Sequence, residues 1–162
     1  MDIRSDETLG ALLDRWALPI GRLVLAVGEI EHVTLDFLRA FDLPGGTAPT
    51  TRTLRQRLSR MRSILATRTD IATAAPRLGQ LLDQIQGLIE KRNVIAHNPV
   101  VFGVYTSPST DELHFVDELV DQRQTGTGLR FNELSDLACD AHSVAMAFAE
   151  AYWTLPARIR SP

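Results

Sequence analysis

The chain has a single cysteine, Cys139, in 162 residues, which excludes an internal disulfide framework and any zinc site built from several thiolates. Lying in an alanine-rich stretch, Cys139 reads as a small buried hydrophobe rather than a reactive thiol. Aromatic residues make up only 6% of the chain, so recognition of bases by ring stacking has little to draw on. Positive charge is not in excess: 17 Lys and Arg against 20 Asp and Glu leave −3, and any attraction to nucleic acid must come from a local patch. No uninterrupted apolar run approaches the length that spans a bilayer. The start, Met1 to Glu7, is polar and acidic, unlike a signal peptide. A cytoplasmic protein with no membrane association is the expectation. No Gly-rich phosphate loop follows a strand, and no Gly-x-Ser-x-Gly elbow occurs. The four histidines, His32, His97, His114 and His142, fall on different elements without metal-ligand spacing, so neither a metal nor a cofactor is expected.

What is present suits a mainly α protein. The length fits a single domain over residues 1–162, able to bury about two-thirds of its unfolded surface. Ser5-Asp6-Glu7-Thr8 can cap a short first helix carrying Leu9, Leu12, Leu13 and Trp16. Pro19 is placed to start a longer one running to about Phe41, with Ile20, Leu23, Val24, Val27, Glu31, Thr34, Leu38 and Phe41 on one stripe. Pro44 to Pro49 breaks the pattern. Thr50-Thr51 then open a helix that turns Leu54, Leu58, Met61 and Leu65 inward. After a turn from Asp70 to Pro76, Leu78, Leu81, Leu82, Ile85, Leu88 and Ile89 predict a further amphipathic helix. Pro99 ends it, having no N–H and driving Asn98 out of helical geometry. Val100 to Tyr105 and Leu113 to Val116 then flank a Ser107 to Asp111 turn and predict a β-hairpin. Residues 118–130 form either a third short strand or an ordered loop. Asn132 caps a last helix with Leu134, Leu137, Ala138, Ala141, Ala145, Phe148 and Tyr152 on one face, stopped by Pro156.

Chemistry enters where polar residues occupy places that periodicity reserves for apolar ones. Glu31 and Arg92 each interrupt a core-facing stripe, and a buried unpaired charge is costly. The economical expectation is that the two helices pack and the residues pair; the alternative is a Glu31 that borders the surface and reaches water. Asn93 and His97 lie along the edge of the Arg92 stripe, which gathers a guanidinium, an amide and an imidazole within two turns. Histidine can take and return protons near neutral pH, and arginine can hold a phosphate and stabilise charge developing on it. Asparagine can orient the imidazole or a ribose. These groups suit attack of an RNA 2′-hydroxyl on its adjacent phosphate. The plainer reading makes Arg92 an ion-pair residue and His97 a helix C-cap. A second feature is the row Arg52, Arg55, Arg57, Arg60, Arg62 and Arg68, with no acid between Asp42 and Asp70. It is either an RNA-binding face or a solvated face balanced by acids on neighbouring elements.

Arg92-Asn93 followed by Val94-Ile95-Ala96-His97 resembles the motif of HEPN domains: an arginine, a polar residue, and a histidine after four to six intervening positions, here four. The resemblance implies an antiparallel helical bundle, here with a small β-hairpin before its last helix. It implies metal-independent endoribonuclease activity in a toxin, defence or stress effector, with Arg92, Asn93 and His97 catalytic; Glu31, from its place in the stripe, is expected to be a supporting acid. It also implies a homodimer whose two motifs line one cleft, with any antitoxin or regulator a separate chain. Family members that have lost catalysis and bind RNA or protein define the alternative.

Overall fold

The computed structural model describes residues 5–41, 49–106, 109, 113–120 and 128–155. Four helices and a small sheet follow in the order α1 (Ser5–Phe41), α2 (Leu54–Thr67), α3 (Ala75–His97), β1 (Val100–Thr106), β2 (Leu113–Val120), β3 (Gly128–Arg130) and α4 (Phe131–Trp153). Short 3₁₀ turns, Pro49–Thr51 and Thr69–Ile71, precede α2 and α3. No helix among the described residues is long and apolar enough to cross a membrane.

Helix α1 departs from expectation. Instead of a short helix and a second one starting at Pro19, it is one helix of 37 residues with Pro19 inside it. Proline removes the hydrogen bond to the carbonyl four residues back and crowds it, at about 3 kcal/mol. Tertiary packing offsets that cost. Trp16 is buried, its indole N–H donates to Asp117 Oδ2 of β2 at 2.7 Å, and its ring meets Phe131 edge-on at 5.7 Å. The guanidinium of Arg15 lies 3.8 Å from the centre of the same Phe131 ring. The segment before Pro19 is thus held by β2 and the start of α4.

The inward face of α1 is also rotated from the expected stripe. Trp16, Leu23, Ala26, Val27, Ile30, Val33, Thr34, Phe37, Leu38 and Phe41 are buried, whereas Val24 is exposed and Glu31 lies at the margin. The bulk of Trp16 and Phe37 decides which arc turns inward, since Phe37 packs on Phe41 at 4.4 Å and near Tyr152 at 6.3 Å. Helices α3 and α4 bury the residues their periodicity indicated, except that Ile89 is only partly buried. All four helices contribute to one continuous apolar cluster.

Helix α2 begins one turn later than expected. Thr53 is its N-cap: its side chain accepts from the Gln56 N–H, and the Gln56 side chain accepts from the Thr53 N–H at 2.8 Å. This reciprocal capping satisfies two backbone donors that a helix start leaves orphaned. The hairpin gains a third strand. The sheet is antiparallel in the order β1-β2-β3, with Val100 opposite Leu119 and Leu119 opposite Leu129. Of the predicted Ser107 to Asp111 turn only Ser109 is described; its other residues, like those at 121–127, lie outside the described residues. Helix α4 starts at Phe131 rather than after an Asn132 cap, with Glu133 Oε2 accepting from the Arg130 N–H at 2.7 Å. Cys139 is exposed, not buried: Ala138 and Ala141 take the core positions and Cys139 falls outside their arc.

Candidate functional site

The last two turns of α3 sit where α1, α2 and α3 converge. Ile85, Leu88 and Ile95 anchor the helix in the core, and Asn98 Nδ2 closes its end by donating to the Val94 carbonyl at 2.7 Å. Arg92, one turn after Leu88, is half-buried. It lines a cavity of ≈ 230 Å³ with Asn93 and Ile89 of the same helix, Val27 and Glu31 of α1, and Thr53, Leu54 and Arg55 at the start of α2.

Arg92 Nη1 donates to Asn93 Oδ1 at 3.3 Å, which turns the guanidinium along α3 rather than across to α1. Arg92 Nε is buried and has no hydrogen-bond partner. The expected Glu31–Arg92 ion pair does not form: the two share the cavity, but no salt bridge joins them among the described residues. The rotation of α1 explains this. With Val27, Ile30 and Thr34 taking the core positions, Glu31 stands at the edge of the buried arc and needs no cation to neutralise it.

Asn93 and His97 are exposed. Five residues along an α-helix correspond to about 140° of rotation and about 7.5 Å of rise, so Arg92 and His97 diverge. Accordingly His97 does not line the Arg92 cavity. Two further histidines stand apart from Arg92: His32 lies 3.4 Å from Asp36 on the exposed side of α1, and His142 is exposed on α4, where it lines a groove with Arg22 and Glu29. Among the described residues no group of three or more His, Cys, Asp or Glu gathers in metal-binding fashion.

The arginine row is largely structural. Arg57 is buried, at 9% exposure, and its Nε donates to the Arg52 carbonyl at 3.0 Å. Arg55 meets Glu90 of α3 at 3.3 Å. Arg62 donates to Asp83 at 2.9 Å and to the Leu82 carbonyl at 3.1 Å, clamping α2 to α3. Arg68 holds Asp70 through two parallel hydrogen bonds and lies 5.2 Å from the centre of the Phe41 ring. Donation from Arg68 holds the Asp70 carboxyl below its ordinary range, and Arg68 is itself raised by the same bond. Arg52 and Arg60 are half-buried and engaged in contacts of their own. Arg55 and Glu90 remain largely exposed, and Arg57 Nη1 is buried without a hydrogen-bond partner among the described residues.

Sequence reasoning missed the α2 contribution, Thr53, Leu54 and Arg55, to the cavity wall. The signal was available: Thr53-x-x-Gln56 is a capping box and places the helix start there rather than at Thr50. No protein-family model, curated protein or solved structure matches this chain.

Proposed function

We propose that this chain is a HEPN-like, metal-independent endoribonuclease whose cleft is shared by two copies. The observation that supports the reading best is the Arg92 Nε donor, buried without an acceptor at the wall of an open cavity. A buried donor left unmade costs about 1–3 kcal/mol, and an anionic oxygen from a ligand would satisfy it. A phosphate suits a guanidinium already oriented by Asn93.

The chemistry follows from the residue types. His97 takes the proton of an RNA 2′-hydroxyl as its oxygen attacks the adjacent phosphorus. The P–O5′ bond breaks, the 5′-oxygen leaves with the proton that the imidazolium returns, and the products are a 2′,3′-cyclic phosphate and a 5′-hydroxyl. Arg92 stabilises the charge that develops on the non-bridging oxygens. Because Arg92 and His97 of one chain diverge around α3, an arginine from one copy and a histidine from the other would act on one phosphate. Glu31 lines the same cavity and would orient the ribose or repel misplaced phosphate. In this reading the protein works in the cytoplasm as a toxin or defence effector, restrained by a separate regulator chain.

The second reading, a catalytically silent module that binds RNA or protein, is favoured by the divergence of His97 from the Arg92 cavity within one chain. Incubation with a mixed RNA pool in EDTA, followed by end-group analysis, separates the two. The enzyme yields cyclic phosphates and 5′-hydroxyls, and His97→Ala yields none. RNA left whole by the wild-type protein favours the silent module, and cleavage that requires a divalent cation overturns the mechanism.

A further inference from the structure

On the side of α1 away from the Arg92 cavity, large apolar side chains face solvent. Leu25 is 76% exposed and Leu18 59%, while Met146 of the neighbouring α4 is 56% exposed. Leu25 and Met146 line a groove of ≈ 780 Å³ between α1 and α4, together with Arg22 and Glu29. Leaving such a contiguous apolar strip in water is unfavourable and marks a docking surface. Its charges indicate what docks. Arg22, Leu25 and Glu29 lie at i, i+3 and i+7, one stripe of a helix. Neither Arg22 nor Glu29 has an ion-pair partner among the described residues. Seven residues along a helix span about 10 Å, too far for the two to pair within one chain.

We propose that a second copy of this chain docks antiparallel on this face, with Leu25 of both copies beside the two-fold axis and Arg22 of each paired with Glu29 of the other. An antiparallel two-fold contact is self-complementary, so residues equally distant from its centre on either side meet. Arg22 and Glu29 are the opposite charges that stand nearly equidistant from Leu25, giving two reciprocal ion pairs around an apolar centre. Gly21 and Gly28 adjoin these charges, and the space where each would carry a side chain is open, so they permit close approach of the second helix. Leu25 and Val27 are two residues apart, about 160° around the helix, so this contact faces away from the cavity that holds Val27 and Arg92. It is distinct from any pairing of the two motifs and does not rest on RNA cleavage.

The test is light scattering with sedimentation equilibrium on the full chain at about 1–100 µM. The wild-type protein self-associates, and Leu25→Glu lowers its mass to half or less. Arg22→Glu and Glu29→Arg each weaken association by about tenfold or more, since each turns two attractions into two repulsions. The double variant Arg22→Glu/Glu29→Arg restores it, because the pairs are remade with their signs exchanged. In a Cys139→Ser background, Leu25→Cys forms an intermolecular disulfide under mild oxidation. A monomeric wild type, a mass unchanged by Leu25→Glu, or no rescue in the double variant overturns the proposal. Cleavage assays on the same variants keep the two readings apart. An assembly that survives Leu25→Glu while RNA is cut points to motif pairing alone. A Leu25→Glu monomer that still cuts RNA refutes the shared cleft and leaves this interface standing.

Discussion

Replacing Arg92 with methionine distinguishes a residue that anchors the fold from one held for a ligand. If Arg92 were half of a buried ion pair, removing it would strand a carboxylate and cost about 3–5 kcal/mol. The geometry predicts otherwise. Its one hydrogen bond, to the exposed neighbour Asn93 at 3.3 Å, is long, and its Nε is buried without a partner. Being long and solvent-exposed, such a bond falls at or below the ordinary range of about 0.5–1.5 kcal/mol. Removing the orphan donor returns about 1–3 kcal/mol in a fully buried setting, and less here because Arg92 is half-exposed. Methionine keeps much of the aliphatic length of the side chain at the cavity wall that Arg92 shares with Ile89 and Leu54. The expected change in unfolding free energy is therefore within about 1 kcal/mol of zero, on either side. Urea denaturation followed by circular dichroism at constant slope measures it. RNA cleavage by the same preparation should fall about 10²–10³-fold, the usual loss when one donor to a developing oxyanion is removed. A destabilisation above about 2 kcal/mol would refute the reasoning, since it would mean Arg92 has a structural partner in the folded protein.

His97→Ala should leave stability unchanged within about 0.5 kcal/mol, because His97 is exposed, and lower single-turnover cleavage about 10²–10⁴-fold. Trp16→Phe removes the indole donor to Asp117 and should cost about 1–3 kcal/mol in chemical denaturation, more than the apolar contact alone would explain. Thr53→Ala removes the cap of α2 and should cost about 1 kcal/mol, read by the same method. Asp70 should titrate below the ordinary carboxylate value of 3.8 by NMR, and Arg68→Gln should return it there. Its folded pKa is depressed, so the stabilisation from this pair is complete above the unfolded value and fades as pH falls through the folded one.

Helices α3 and α4 were legible in the sequence because their large core residues recur in one arc at the helical period, although Val94, Met146 and Trp153 stand exposed outside it. The two-strand core of the sheet was legible for the same kind of reason, as alternation bounded by turn residues. Helix α1 was harder. Apolar residues occupy more than one arc of it, so periodicity alone admits both the stripe through Val24 and Glu31 and the buried one through Ile30 and Val33. Packing of Trp16 and Phe37 chooses between them. The same choice moved Glu31 to the margin and dissolved the expected ion pair. Pro19 reads as a helix start, and it takes long-range contacts of Trp16 and Arg15 with Asp117 and Phe131 to hold the segment before it. The acids that meet Arg55 and Arg62, Glu90 and Asp83, belong to α3, so these contacts could not be read from α2 alone. The cluster of Arg92 and Asn93 was legible, being set by adjacency on one helix, but the divergence of His97 follows from five residues of helical rotation.

Pro19 divides α1 into two lengths that report on different parts of the molecule. The carbonyl of Arg15 has no proline N–H to accept from, so the hydrogen-bond ladder is interrupted there. Downstream, amides on the Leu23 to Phe41 length are guarded by the helical core and should exchange with solvent only on global unfolding. Upstream, the turns before Pro19 depend on β2 and the start of α4 through Trp16. Any event that separates β2 from this arm releases those turns while the bundle stays folded. The interrupted ladder thus makes the first part of the longest helix a reporter of sheet docking, readable as a separate, faster class of exchanging amides.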